Sequence, residues 1–139
     1  MKQFTFTLEK IMRLRAWSEE EARIELGRVM SEKNAVEYAL KNAAGKRAAA
    51  MKNRFSLSGG VDTMYAYEAY IARLDAEKEN LLSNAAAIEL KVEAARETWT
   101  TANAELKAIQ NLRERRFKDY RKNVFTEEEK EINDIRRRA

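Results

Sequence analysis

The stretch SLSGG, residues 56–60, decides the fold because it interrupts a chain that otherwise favours helix on both sides. It contains two of the four glycines of a sequence that has no proline. Glycine adopts positive φ without a steric penalty, so Gly59 and Gly60 suit a turn. Two long helices joined by a short turn must run antiparallel if they pack. The sequence therefore predicts a hairpin with its bend at about residues 56–61.

The composition supports helix on either side of this bend. Charged residues make up 36% of the 139 residues, and alanine, glutamate, lysine, arginine and leucine dominate. Such a mixture is typical of long helices and coiled coils. We predict a single all-α domain over residues 1–139, with helix 1 at about 5–55 and a longer helix 2 at about 62–137. Asp62 is the expected N-cap of helix 2.

Apolar residues recur three and four apart in both segments, which predicts an antiparallel coiled coil. Helix 1 contributes an apolar series interrupted by three charged residues: Leu8, Met12, Glu19, Ala22, Leu26, Val29, Lys33, Val36, Leu40, Ala43, Arg47 and Ala50. Helix 2 contributes a more regular series: Tyr67, Ile71, Leu74, Lys78, Leu81, Ala85, Ile88, Val92, Ala95, Trp99, Ala102, Leu106 and Ile109. We call these two series together the seam.

Folding the chain at Gly59 gives each polar seam residue an apolar partner. The expected opposing pairs are Glu19 with Trp99, Lys33 with Ala85, Leu40 with Lys78, and Arg47 with Ile71. The same folding brings the start of helix 1 to about residue 113, where Arg113 and Arg116 end the apolar series. The last 25 or so residues of helix 2 are therefore expected to extend without a partner, a length at which lone helices are marginal in water.

The sequence offers little material for catalysis. It contains no histidine and no cysteine, so the commonest general base and the thiolate metal ligands are missing. AAGKRAAA, residues 43–50, lacks the first glycine of a phosphate-binding loop and has Arg47 where serine or threonine is needed. Paired carboxylates such as Glu127 and Glu128 fall on a solvated helix. We predict no enzyme activity, no catalytic or metal site and no cofactor.

Charge and hydropathy limit the classes of partner that the chain is expected to bind. No run approaches the ~18 consecutive apolar residues of a membrane span. The N-terminus lacks the apolar stretch of a signal peptide, so we expect a cytoplasmic protein with at most peripheral membrane association. The net charge is +4, with both signs interleaved along the chain. A nucleic-acid-binding protein usually concentrates its basic residues on one face, so nucleic acid is not expected as a partner.

Three stretches of the chain carry distinctive patterns. The first is FTFTLEKIMRLR, residues 4–15, followed by SEEEA at residues 18–22. The second is YEAYIARL, residues 67–74, and the third is RRFKDYRKNVFTEEEKEINDI, residues 115–135. Together they resemble the flagellar type III export protein family FliJ. The second stretch resembles the family's sequence at the start of its second helix, with Tyr70 and Leu74 in place, whereas the residues from Ile132 to Ile135 depart from the usual family ending.

The resemblance implies a two-helix stalk that works with three partners. These are the hexameric flagellar export ATPase, the cytoplasmic part of the export gate membrane protein, and export chaperones. It also implies a location in the cytoplasm, peripheral to the inner membrane at the flagellar base. A stalk protein of a non-flagellar type III secretion system and a generic coiled-coil scaffold with a basic binding patch remain as alternatives.

Phe4 and Phe6 alternate, so they cannot both face the seam if they are helical. In one interpretation a ring packs near Leu112 or Phe117 and closes the open end of the hairpin. In the other, at least one ring docks on the ATPase, unless the first residues are extended. Arginine suits pairing with carboxylates of such a partner. The candidate ATPase-binding residues are Phe4, Phe6, Arg113, Arg115, Arg116 and Phe117.

Three tyrosines cluster beside the turn. Tyr67 fits the seam, whereas Tyr65 and Tyr70 fall on flanking faces. There they either pack against nearby alanines of helix 1 or contact a partner, since tyrosine is enriched in protein interfaces. The candidate residues for binding the export gate are Tyr65, Tyr70 and Leu74.

Overall fold

The computed structural model describes residues 3–54 and 60–138. These residues form two helices and no strand: α1, Glu9–Asn53, of 45 residues, and α2, Gly60–Arg138, of 79 residues. The all-α fold with a longer second helix is therefore confirmed. Residues 3–6 are not helical and α1 begins at Glu9, later than the sequence suggested. Residues 56–59 of the predicted bend lie outside the described residues.

The start of α2 depends on a glycine. Gly60 has φ of 74°, in the left-handed region that side chains with a Cβ rarely adopt. Because α2 begins at Gly60, Asp62 lies within its first turn rather than at the N-cap, and the prediction of an Asp62 cap was wrong. The carboxylate still lies near the positive end of the helix dipole, where negative charge is favourable.

The chain divides into two compact units, which we describe separately. The first, Ile24–Glu97, is called the hairpin unit. Among its described residues, three ion pairs join the helices: Lys33 to Glu89 at 3.2 Å, Arg47 to Asp75 at 2.7 Å and Arg54 to Glu68 at 2.6 Å. Residue numbers rise along α1 as they fall along α2, so the helices are antiparallel here. The first two pairs lie one helical turn from the predicted opposing pairs of Lys33 and Arg47.

The second unit, Met1–Arg23 with Thr98–Ala139, is called the terminal unit. Its helices are also antiparallel, because Arg15 pairs with Glu105 while Glu19 meets Trp99. The Trp99 indole donates a hydrogen bond of 3.1 Å to the Glu19 carboxylate. This contact confirms one predicted opposing pair and explains how the seam accommodates an acidic residue.

The predicted seam agrees with the observed burial. Val29 and Val92 are the most completely buried side chains, 2% and 0% exposed. Every other predicted seam residue is buried or partly buried except Lys78, which is exposed. Five of the buried residues are alanines: Ala22, Ala43, Ala50, Ala95 and Ala102. Because alanine buries little apolar area, the few larger seam residues supply most of the hydrophobic stabilisation.

The outer face of α1 carries a local charge network. Arg28 donates hydrogen bonds of 2.6 Å to both Glu25 and Glu32, three and four residues away. The hydrogen bond from Arg28 lowers the pKa of Glu25 below its ordinary value. Exposed pairs at this spacing give a helix modest local support, so they favour α1 without determining how it packs.

Candidate partner-binding surfaces

The N-terminal segment of the terminal unit, residues 3–8, packs on α2 through two phenylalanines. The Phe4 ring lies edge-on to Phe117, with centroids 5.1 Å apart, and 5.5 Å from the ring of Tyr120. Phe6 is only 7% exposed. Phe4 and Phe6 precede α1 and are not helical. Residues two apart in such a segment can both pack against α2, and both rings do so. The interpretation that one of the two rings packs near Phe117 is confirmed.

Two predicted partner-binding arginines contact the same segment. Arg113 lies 5.7 Å from the ring centroid of Phe4 and forms an ion pair of 3.5 Å with Glu9. Arg116 lies 5.6 Å from the ring centroid of Phe6 and donates a hydrogen bond of 3.0 Å to the Thr7 hydroxyl. Cations over aromatic faces contribute about 0.5–1 kcal/mol each at exposed sites. Arg113 and Arg116 therefore hold the N-terminal segment of the same chain.

The predicted ATPase-binding residues thus come together as one cluster, with one exception. Phe117 is 39% exposed, so part of its ring remains accessible beside Phe4. Arg115 is exposed and forms no ion pair with any residue in the described ranges. Of the three arginines, Arg115 is the one whose charge is available to a partner without releasing the N-terminal segment.

Pairing in the terminal unit extends farther along α2 than the sequence predicted. It reaches Tyr120 rather than ending near residue 113. A non-helical segment explains the difference, because an extended residue advances up to ~3.3 Å or more, against ~1.5 Å in a helix. Residues 121–138 are exposed apart from partly buried Val124. This shorter segment presents Phe125 and Ile135 at 63% and 67% exposure, which the sequence reasoning did not single out.

The tyrosines beside the turn differ in their surroundings within the hairpin unit. Tyr65 is 70% exposed. Tyr70 is partly buried, and the Arg73 guanidinium lies 5.8 Å from its ring centroid. Leu74 is only 5% exposed and belongs to the seam. Tyr65 and the outer part of Tyr70 are therefore accessible to a partner, while Leu74 contributes to the packing of the unit.

Another exposed apolar surface lies at the start of α1, in the terminal unit. Ile11, Leu14 and Trp17 are 43%, 63% and 62% exposed, and together with Arg15 and Ser18 they line a shallow hollow. Sequence reasoning did not single out this surface. The available signal was the presence of large apolar residues at positions that the seam does not use.

The described residues contain neither a candidate metal site nor a membrane-spanning helix. No group of three or more acidic, histidine or cysteine side chains within residues 3–54 and 60–138 could hold a metal ion. Over the same residues, neither helix has a stretch apolar and long enough to cross a membrane. The candidate surfaces described above are made of aromatic, aliphatic and basic side chains.

Comparison with known proteins identifies one family. A family model described as "Flagellar FliJ protein" matches residues 4–139. No curated protein and no solved structure matches significantly. The match includes the N-terminal phenylalanines, both helices and the exposed C-terminal part of α2.

Proposed function

Because the chain belongs to the flagellar FliJ protein family, we propose that it is a stalk and adaptor of the flagellar type III export apparatus. In this role it couples the export ATPase ring to the export gate and assists the handling of export chaperones. It works on the cytoplasmic side, at the membrane periphery of the flagellar base. The family match over residues 4–139 is the observation that carries the proposal.

The surfaces of the chain support this assignment. The terminal unit combines a partly accessible aromatic ring, Phe117, with a free arginine, Arg115, and the exposed C-terminal part of α2. Aromatic residues and arginine are enriched where protein partners bind. The hairpin unit presents Tyr65 and Tyr70 instead. We assign the first surface to the ATPase and the second to the export gate.

We expect no ATP hydrolysis by this chain alone, and an increase in turnover or ring assembly when it is added to the export ATPase. The reason is that a stalk contributes contacts, while the nucleotide chemistry belongs to the partner. The measurement is phosphate release at increasing concentrations of the chain, together with the size distribution of the ATPase. A flat response in both readouts would contradict the stalk assignment.

Tyr70→Ala is expected to weaken binding to the soluble part of the export gate and to leave ATPase stimulation unchanged. Removal of the ring deletes accessible aromatic area but no fully buried group, so the helices remain paired. Binding is measured by titration calorimetry with the purified gate domain. The matched control is Tyr38→Ala, which removes a 69% exposed tyrosine from α1 of the same unit. Equal gate affinity in both variants would exclude the Tyr70 surface.

Leu74→Ala is a less specific test of the same surface. Leu74 is buried in the seam, and loss of a buried leucine costs about 2–5 kcal/mol. Reduced gate binding in that variant would report on the stability of the hairpin unit as well as on contact.

A further inference from the structure

One side of the hairpin unit carries a regular row of contacts between the helices. Each step of seven residues along α1 is matched by a step of seven in the opposite direction along α2. The row comprises two ion pairs, Arg54–Glu68 and Arg47–Asp75, then the apolar residues Leu40 and Leu82, then the ion pair Lys33–Glu89. The row is therefore interrupted at a single position in this range, and there the two charged partners are replaced by two leucines.

A hollow of about 520 Å³ opens at this interruption. Leu40, Leu74 and Leu82 line it, and alanines of α1 complete its apolar surface. Leu82 is 44% exposed and Leu40 is partly buried. The volume lies within the ~300–1,000 Å³ range of ligand-binding clefts. The two leucines leave accessible apolar area where the rest of the row presents ion pairs.

The polar part of the lining has only one sign of charge. Lys41, Arg47 and Lys78 line the hollow, and no carboxylate does. Arg47 is neutralised by its ion pair with Asp75. Within the described residues, neither Lys41 nor Lys78 forms an ion pair with an acidic side chain. The accessible leucines are thus flanked by two lysines that form no such ion pair, with long stems that can follow an apolar surface while their heads stay in water.

We propose that this hollow is the docking site for an amphipathic helix of a partner protein, one that presents large apolar side chains flanked by aspartate or glutamate. Helices commonly bind by placing an apolar face into a groove between two others. The leucines receive the apolar side chains, and the two lysines select an acidic partner over a basic one. Of the three candidate residues for the export gate, Leu74 lines the hollow, whereas Tyr65 and Tyr70 do not. The site therefore adjoins the surface assigned to the export gate and rests in part on the proposed function.

The test uses the full chain and a defined probe. The probe is a fluorescently labelled, helix-forming peptide with leucines three and four residues apart on one face and glutamates beside them. A second peptide carries lysine in place of each glutamate. Fluorescence anisotropy should show that the acidic peptide binds at least about tenfold more tightly than the basic one, with an affinity that falls as salt is added.

Two variants locate the binding site. Lys41→Glu with Lys78→Glu, and separately Leu82→Asp, should each weaken binding of the acidic peptide by about tenfold or more. The matched control is Lys46→Glu with Lys52→Glu, which brings the formal net charge from +4 to the same value of zero through lysines outside the hollow. Circular dichroism should show unchanged helix in all variants.

Three results would overturn the inference. They are no binding of the acidic peptide to the natural chain at millimolar concentration, equal binding of both peptides, and equal losses in the Lys41/Lys78 and Lys46/Lys52 variants. None of them bears on stimulation of the export ATPase, so failure here is distinguishable from failure of the proposed function.

Discussion

Val92→Asp is expected to lower the melting temperature by at least ~10 °C, the largest loss among single substitutions in the hairpin unit. Val92 is completely buried, and Val29, on the opposing helix of the same unit, is nearly so. A carboxylate at this position either loses its hydration without a compensating partner or forces the helices apart. A cost of about 3–4 kcal/mol corresponds to a shift of roughly this size for a chain of this length. Thermal unfolding followed by circular dichroism measures it.

Leu90→Asp is the control for this effect. Leu90 is 69% exposed and lies two residues away on the same helix. It introduces the same charge into a similar stretch of sequence, but at a solvated position where substitutions usually change stability by less than ~0.5 kcal/mol. Similar melting temperatures for Val92→Asp and Leu90→Asp would mean that burial in the seam does not govern the stability of the hairpin unit.

The seam was predictable because it depends on local periodicity. Apolar residues three and four apart define one face of a helix wherever the chain leads, and a glycine pair between two such runs implies that those faces meet. The exception, Lys78, is instructive. The sequence placed it in the seam opposite Leu40, but the flexible lysine extends outward, and both residues line the hollow of the hairpin unit.

The arrangement of the N-terminal segment was harder to predict, because it depends on contacts between distant parts of the chain. The alternation of Phe4 and Phe6 is compatible with a frayed helix or with an extended segment. Nothing local distinguishes an arginine that binds an acidic partner from one that lies over an aromatic ring of its own chain. Arg113 and Arg116 proved to be of the second kind. Only their spatial relation to residues 4–9 shows this.

The exposed apolar residues were missed for a different reason. The exposed surface made of Ile11, Leu14 and Trp17 can be recognised in the sequence only after the seam residues of α1 have been identified and set aside. Hydrophobic periodicity identifies the face that packs, and it is silent about a second face. The exposed apolar residues outside the seam are therefore the natural places to look for partner contacts in a two-helix protein.

Arg113→Glu with Arg116→Glu is expected to release the N-terminal segment while leaving the helix content unchanged. The double substitution removes two cation–π contacts, an ion pair with Glu9 and a hydrogen bond to Thr7, and it places a carboxylate near Glu9. A local loss of about 2 kcal/mol follows from typical magnitudes, which corresponds to about 30-fold faster amide exchange. The Glu9 amide, which donates a 3.1 Å hydrogen bond to the Phe6 carbonyl, is the reporter.

Arg115→Glu with Lys122→Glu is the matched control, since both side chains are exposed and make no ion pair within the described parts of the chain. We expect it to leave exchange of the Glu9 amide unchanged but to weaken ATPase stimulation, because Arg115 is the arginine whose charge is accessible.

Phe6→Ala, which removes a buried ring without changing charge, should release the segment as the Arg113/Arg116 variant does. If the Arg113/Arg116 variant loses ATPase stimulation while Phe6→Ala retains it, those arginines contact the ATPase directly and must leave the N-terminal segment to do so. If both variants lose it equally, the arginines act by holding Phe4 and Phe6 in the position that the ATPase recognises.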